Sequence, residues 1–137
     1  MRFAILICTA MAAAASPALA CSCRCADAAT LLRETPLLFT GRAVAERVEG
    51  NLRRYTVEVT AVHKGEAAGR IELGTAVHSA ACGVKLTLGR EDLLGAHPGA
   101  EGARINLCTQ YCIGQRREEL DRLIARCTPG GRCPPEG

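Results

Sequence analysis

The number of cysteines is the feature that most constrains what this chain can fold into. Nine cysteines occur among 137 residues, and Cys8 lies in an amino-terminal segment that is typical of a secretory signal peptide. In that segment Arg2 precedes an apolar run, and Ala18-Leu19-Ala20 forms a small-x-small cleavage site. Removal of this signal peptide, residues 1–20, leaves Cys21, Cys23, Cys25, Cys82, Cys108, Cys112, Cys127 and Cys133. An even number of cysteines in a short exported chain predicts four disulfides.

These cysteines have two alternative uses, as metal ligands or as a lipid attachment site. Cys21-x-Cys23-x-Cys25 offers thiolates to zinc or copper. Structural zinc sites, however, favour cysteines separated by two to four residues together with a second pair of ligands. No second ligand pair that includes a histidine follows in this sequence. Lipid attachment at Cys21 usually follows a leucine three residues earlier, where this chain has Ala18. Lipidation would also leave an odd number of thiols. We therefore expect disulfides and a free amino terminus, with the lipid anchor at Cys21 as the alternative.

The size and charge of the mature chain exclude several functional classes. After cleavage, 137 − 20 = 117 residues remain, which is enough for a single domain over residues 21–137. Loss of Arg2 leaves 17 − 1 = 16 basic and 14 acidic residues, so the surface is poorly suited to phosphate backbones. The remaining aromatic side chains, Phe39, Tyr55 and Tyr111, are too few for base stacking. We expect no nucleic-acid binding, and no other apolar stretch approaches the roughly 18 residues of a transmembrane segment.

No catalytic constellation stands out in the sequence. His63, His78 and His97 lie far apart and have no metal-ligand spacing. The spacing Cys108-x-x-x-Cys112 differs from the CxxC of thiol oxidoreductases. We therefore expect a protein that is not an enzyme and that has no cofactor of its own.

Hydrophobic periodicity predicts a mainly β domain. Asp27 can cap a short helix from Ala28 to Glu34. An amphipathic helix is predicted over about residues 115–127, because its apolar residues recur with helical spacing. Period-two patterns predict five strands, over residues 37–48, 52–63, 70–77, 84–88 and 105–107. Five strands with one short and one longer helix suit a small closed Greek-key barrel.

The first residues of the mature chain are the most informative for function. In an extended segment, side chains at alternate positions share one face. Cys21, Cys23 and Cys25 are therefore expected to point towards the body of the domain, with Ser22 and Arg24 pointing away. Disulfides from these cysteines would turn a normally frayed terminus into a rigid ridge.

The chain resembles a known family, the tissue inhibitors of metalloproteinases, which share the netrin-like module. The resemblance rests first on Cys21-Ser22-Cys23 at the mature start and on Ser79-Ala80-Ala81-Cys82-Gly83-Val84. It rests further on Lys64-Gly65 after the second strand and on Ile105-Asn106-Leu107-Cys108. The matching order and spacing extend over about residues 21–108.

The resemblance implies a fold and two disulfides. The fold is a five-stranded OB-fold barrel over about residues 21–108, followed by the helix at about 115–127 and a short tail. The implied disulfides are Cys21–Cys82 and Cys23–Cys108.

The resemblance also implies inhibition of zinc metalloendopeptidases by a monomeric, secreted or periplasmic protein. The α-amine and carbonyl of Cys21 would chelate the catalytic zinc of the target, and Ser22 would enter the adjacent specificity pocket. This zinc belongs to the partner protease, and the inhibitor holds no metal. The inhibitory edge implied by the resemblance comprises Cys21, Ser22, Cys23, Arg24, Ala80, Ala81 and Cys82.

Two departures from the family pattern concern the third barrel disulfide and the charge on the ridge. Arg33 lies in the region where the family has the first cysteine of that disulfide, and Cys25 is extra. Cys25 can pair with Cys112, Cys127 or Cys133. We favour Cys25–Cys127, which leaves Cys112–Cys133. Arg24 replaces the uncharged residue that animal members often have. The alternative function is a non-inhibitory netrin-like docking module of the cell envelope, with or without a lipid anchor.

Overall fold

A mixed five-stranded sheet, three α-helices and several disulfides form the part of the chain that the structure describes. The structure is a computed structural model that describes residues 21–127 and Cys133, so the predicted signal peptide lies outside the described residues. The elements in chain order are α1 (Ala28–Glu34), β1 (Leu37–Glu49), β2 (Leu52–Lys64), β3 (Arg70–Ala76), β4 (Glu91–Ala96), β5 (Ala103–Arg104), α2 (Leu107–Gln115) and α3 (Arg117–Ile124). The prediction of a mainly β chain is confirmed.

Helix α1 begins and ends as the sequence predicts. The Asp27 carboxylate accepts a hydrogen bond from the Thr30 backbone N–H at 2.8 Å, which caps the amino terminus. At the other end, the Lys64 ammonium donates to the Leu32 and Arg33 carbonyls at 2.6 and 2.8 Å. A helix of only 7 residues is thus capped at both ends, and the carboxyl-terminal cap attaches it to strand β2.

The strands are arranged in the order β4-β1-β2-β3-β5. All neighbouring strands are antiparallel except β3 and β5, which are parallel. A tight turn at Gly50, with a φ of 61°, joins β1 to β2. The sheet is open, with β4 and β5 as its edge strands. Just beyond β4, an isolated antiparallel bridge joins His97 to Arg104, through hydrogen bonds of 2.9 and 2.7 Å.

Apolar side chains from both faces of the sheet are buried. Phe39 and Leu94 belong to one cluster, here called the main core, which also contains Tyr55, Val57 and Leu73. Their chain neighbours Leu38 and Leu93 point the opposite way, into a second cluster with Leu32, Ile113 and Leu120 of the three helices. Strands β1 and β4 therefore lie between the main core and the helical layer.

The predicted strand at residues 84–88 is wrong. This segment enters the core without pairing as a strand: the Val84 N–H donates to Thr75 Oγ1 at 2.9 Å, and the Leu86 N–H donates to Tyr55 Oη at 3.0 Å. These two side chains satisfy backbone groups that a neighbouring strand would otherwise pair. Leu88, which the period-two pattern of the predicted strand would place on the same face as the buried Val84 and Leu86, is 48% exposed.

The fourth strand is β4, which lies outside all the predicted strands. Its residues 93–96 are all buried, because the main core lies on one side and the helices on the other. A strand buried on both faces has no polar–apolar alternation, and the period-two pattern therefore could not identify it.

The predicted last strand at residues 105–107 is also wrong. The fifth strand is the two-residue β5, and the Asn106 side chain accepts a hydrogen bond from the Thr109 N–H at 2.9 Å, which starts helix α2 at Leu107. The helix predicted at about 115–127 is observed as α3, which is shorter. Helix α2 has no counterpart among the predicted elements.

We predict that acid selectively weakens an ion-pair network across β1, β2 and β3. The Arg47 guanidinium hydrogen-bonds to both Glu49 and Glu72, and these bonds lower the pKa of each carboxyl group. Carboxyl groups with a lowered folded-state pKa stabilise the fold above their unfolded value of about 4.3, and this contribution is lost as the pH falls through the folded value.

Arg47→Met is therefore expected to lower the melting temperature at pH 7 by a few degrees, with the difference vanishing towards pH 2. High salt should shrink it as well, since these groups are exposed. Arg42→Met is the control, because Arg42 faces Glu91 at the longer distance of 4.0 Å. A difference between the wild type and the Arg47 variant that is independent of pH would contradict the prediction.

Candidate functional site

The first described residues form an extended segment on the surface, here called the ridge (residues 21–25). The segment lies outside the sheet, and its burial alternates. Cys21, Cys23 and Cys25 are partly buried, whereas Ser22 and Arg24 are exposed. The predicted alternation of the ridge is confirmed.

Four disulfides connect the described cysteines. Two of them, Cys21–Cys82 and Cys23–Cys108, are the pairings that the resemblance implies. The other two are Cys25–Cys112 and Cys127–Cys133. The predicted pairs Cys25–Cys127 and Cys112–Cys133 are therefore wrong.

Helix α2 explains why Cys25 pairs with Cys112. Cys108 and Cys112 are four residues apart in this helix, a rise of about 6 Å on one face. Cys23 and Cys25 are two residues apart in an extended chain, an advance of about 6.6 Å. The two spacings match, and the ridge is attached to α2 at two successive points.

Cys127 follows α3, which packs against α1. It pairs within the carboxyl-terminal region, with Cys133 at a sequence separation of 6. The capping residue Asn106 and the four-residue cysteine spacing were the sequence signals that could have identified α2 and its pairing.

A short loop lies beside the ridge and is called here the CG loop (residues 78–83). Ser79–Ala81 form one turn of 3-10 helix, and all three residues are exposed. Cys82 then adopts the left-handed conformation, with a φ of 60°, and its N–H donates to the Ser79 carbonyl at 3.0 Å. The Cys82 carbonyl accepts a hydrogen bond from the Leu107 N–H at 2.8 Å. The CG loop is thus held both by the ridge, through Cys21–Cys82, and by the first residue of α2.

Gly83 is required by a close approach of the CG loop to the end of β3. A Cβ atom at this position would lie 2.0 Å from the Ala76 carbonyl oxygen and 2.8 Å from the His78 carbonyl oxygen. Both obstacles are backbone atoms, so a larger residue could fit only if the loop moved. The Gly83 N–H also donates to the His78 carbonyl at 3.1 Å. The Cys82-Gly83 sequence therefore fixes the position of the loop against the sheet.

The ridge and the CG loop form one exposed edge. It presents Ser22 and Arg24 from the ridge and Ala80 and Ala81 from the loop, and Arg24 gives it a positive charge. The resemblance assigns the inhibitory edge to these residues and to the cysteines beneath them. The disulfides bring the predicted site residues from both segments together.

The three histidines have separate environments. His63 Nε2 hydrogen-bonds to Thr40 Oγ1 at 2.8 Å, and burial, aided by the nearby Arg117, lowers the pKa of His63. His97 forms the bridge to Arg104, and its buried Nδ1 has no hydrogen-bond partner in the described part of the chain. His78 begins the CG loop and is exposed.

Within residues 21–127 and Cys133, one group of three side chains has metal-ligand spacing. The sulfur atoms of Cys21, Cys23 and Cys108 lie within 4.8 Å of one another. All three atoms belong to disulfides, however, and thiolates are the form of cysteine that binds metal. The arrangement is thus a pair of neighbouring disulfides.

In comparisons with known proteins, no family model and no curated sequence matches the chain. No described helix has the length and apolar character needed to cross a membrane.

We predict that Gly83→Ala displaces the CG loop and destabilises the protein. The clash with backbone is expected to lower the free energy of unfolding by at least about 1–3 kcal/mol. Gly114→Ala in α2 is the matched control, because nothing lies within 4 Å of a Cβ atom at that position, and alanine there should add about 0.5–1 kcal/mol. Denaturant unfolding of the two variants measures both effects, and equal stability would contradict the prediction.

Proposed function

We propose that this protein is an exported inhibitor of zinc metalloendopeptidases that acts like the tissue inhibitors of metalloproteinases. The observation that supports the proposal best is the single exposed edge that joins the ridge to the CG loop through Cys21–Cys82. This edge contains the residues that the resemblance assigns to the inhibitory surface, from two segments 61 residues apart.

The proposed mechanism uses the backbone of Cys21 after removal of residues 1–20. Catalytic zinc in proteases retains a position for water, which the α-amine nitrogen and carbonyl oxygen of Cys21 would occupy. A terminal amine has a pKa of about 7.7–8.0, so it loses its proton to the metal at little cost near neutral pH. Ser22 would enter the pocket beside the zinc, and Ala80 and Ala81 would contact its rim.

The disulfides support this mechanism by holding the edge in place before binding. A flexible terminus would lose conformational entropy when it inserted into a protease cleft. Here Cys21, Cys23 and Cys25 are each bonded to the body of the domain. The edge is therefore preorganised, and the ordering free energy is invested during folding instead of during binding.

We also propose that the fold is a closed OB-fold barrel of the netrin-like type. Two features favour it: the parallel pairing of β3 with β5, and the His97–Arg104 bridge between the two edges of the sheet. In such a barrel, the two edge strands β4 and β5 would pair with each other through this bridge and so close the sheet.

The disulfides also favour export, because such bonds form and persist in oxidising compartments. The protein would act as a monomer, without catalysis and without a metal of its own. The zinc in the complex would be that of the protease.

We predict that one alanine added before Cys21 abolishes inhibition without altering the fold. The extension replaces the terminal amine by an amide and adds bulk where the zinc must approach. Inhibition constants against a panel of zinc metalloproteases should rise by more than about 100-fold, or about 2.7 kcal/mol. The mature protein with Cys21 confirmed as its first residue is the reference, and an alanine added after Gly137 is the matched control.

Equal melting temperatures for the three forms would show that the extension leaves the fold intact. Undiminished inhibition by the amino-terminally extended form would rule out chelation by Cys21. If no form inhibits while all disulfides are intact, the docking module becomes the better description. The intact mass of the exported protein would then show whether Cys21 carries a lipid.

A further inference from the structure

Two disulfides beneath the exposed edge touch each other. Cys21 Sγ, which is bonded to Cys82, lies 3.6 Å from Cys108 Sγ, which is bonded to Cys23. This distance is only slightly longer than the roughly 3–3.5 Å between reacting atoms in near-attack geometries. Thiol–disulfide exchange proceeds by attack of a thiolate on a disulfide sulfur, so this contact is a potential exchange site.

We propose that these four cysteines form an exchange site, at which reduction of either disulfide produces a Cys21–Cys108 disulfide and frees Cys23 and Cys82. The site makes the edge sensitive to dithiol reductants. The consequence for inhibition rests on the proposed function, whereas the exchange itself does not.

The exchange is balanced when the reductant is a dithiol. One of its thiolates attacks Cys23 Sγ, which breaks the Cys23–Cys108 bond and releases Cys108 as a thiolate. The second thiol of the reagent resolves the mixed disulfide, so that the reagent leaves as its own disulfide and Cys23 retains a thiol. The Cys108 thiolate then attacks Cys21 Sγ, forms Cys21–Cys108 and releases Cys82, which takes a proton from water.

Reduction of the other disulfide leads to the same product. A dithiol that attacks Cys82 Sγ releases Cys21 as the thiolate, and the second thiol of the reagent then resolves the mixed disulfide and leaves Cys82 with a thiol. Cys21 attacks Cys108 Sγ, forms Cys21–Cys108 and releases Cys23, which takes a proton from water. In both cases two electrons pass from the dithiol to the protein, and one disulfide is lost. The routes converge because Cys21 and Cys108 are the pair of sulfurs in contact.

The rearrangement would separate the two halves of the edge. Cys82 would no longer be bonded to the ridge, although the CG loop would keep its hydrogen bonds, such as that from the Leu107 N–H to the Cys82 carbonyl, and the packing of Gly83 against the Ala76 carbonyl. Cys23 would be detached from α2, although Cys25–Cys112 would still hold the end of the ridge. Ala80 and Ala81 would lose the covalent link that fixes them relative to Ser22.

Single-thiol variants test the exchange without any reductant. In Cys23→Ser, Cys108 is left with the free thiol, and we expect exchange to transfer part of it to Cys82. Alkylation of the native protein and peptide mapping should then find label on both Cys82 and Cys108, together with a Cys21–Cys108 disulfide. Label on Cys108 alone would overturn the proposal.

Cys82→Ser provides an independent test from the opposite side. Its free thiol starts at Cys21 and is expected to appear on Cys23 as well. If either Cys23→Ser or Cys82→Ser fails to fold, the other variant still tests the exchange. The control is Cys25→Ser, because Cys112 lies outside the group of three close sulfurs, and its label should stay on Cys112. These maps are independent of protease inhibition, so failure of the exchange and failure of the proposed function are separate results.

Discussion

The candidate site depends on a match between two step lengths. Two residues of extended chain advance about as far as four residues of α-helix, roughly 6–6.6 Å. Because of this match, the ridge is bonded to α2 through both Cys23–Cys108 and Cys25–Cys112. A segment outside the sheet is thereby fixed along its length, and Cys21–Cys82 extends the attachment to the CG loop. Disulfides therefore hold the ridge and join it to the CG loop.

The hydrophobic pattern of the sequence predicts those elements that have one buried face and one exposed face. Strands β1, β2 and β3 lie within one residue of their predicted bounds, and α1 is capped by Asp27 as expected. The pattern fails at β4 because this strand is buried on both faces. It fails at residues 84–88 for another reason: Val84 and Leu86 are buried and Lys85 and Thr87 are exposed, as in a strand, but the side chains of Tyr55 and Thr75 take the place of a neighbouring strand.

The candidate site was predictable to a similar extent. Alternation along an extended chain is local, so the outward positions of Ser22 and Arg24 follow from the sequence. The left-handed conformation of Cys82 and the contact between Gly83 and the Ala76 carbonyl depend on how the loop meets β3, which no local pattern encodes. The wrong pairing of Cys25 has one cause: without α2, nothing indicated that Cys112 lies one helical turn beyond Cys108.

The disulfides on both sides of Ser22 also determine what a cut in the ridge would do. Hydrolysis of the Ser22–Cys23 peptide bond would give a nicked molecule and not two fragments, because Cys21 stays bonded to Cys82 and Cys23 to Cys108. The new carboxyl and amino ends would remain side by side at a high effective concentration. Religation of the bond would then compete with its hydrolysis, and after removal of residues 1–20 the severed Cys21-Ser22 dipeptide would stay attached through Cys21–Cys82.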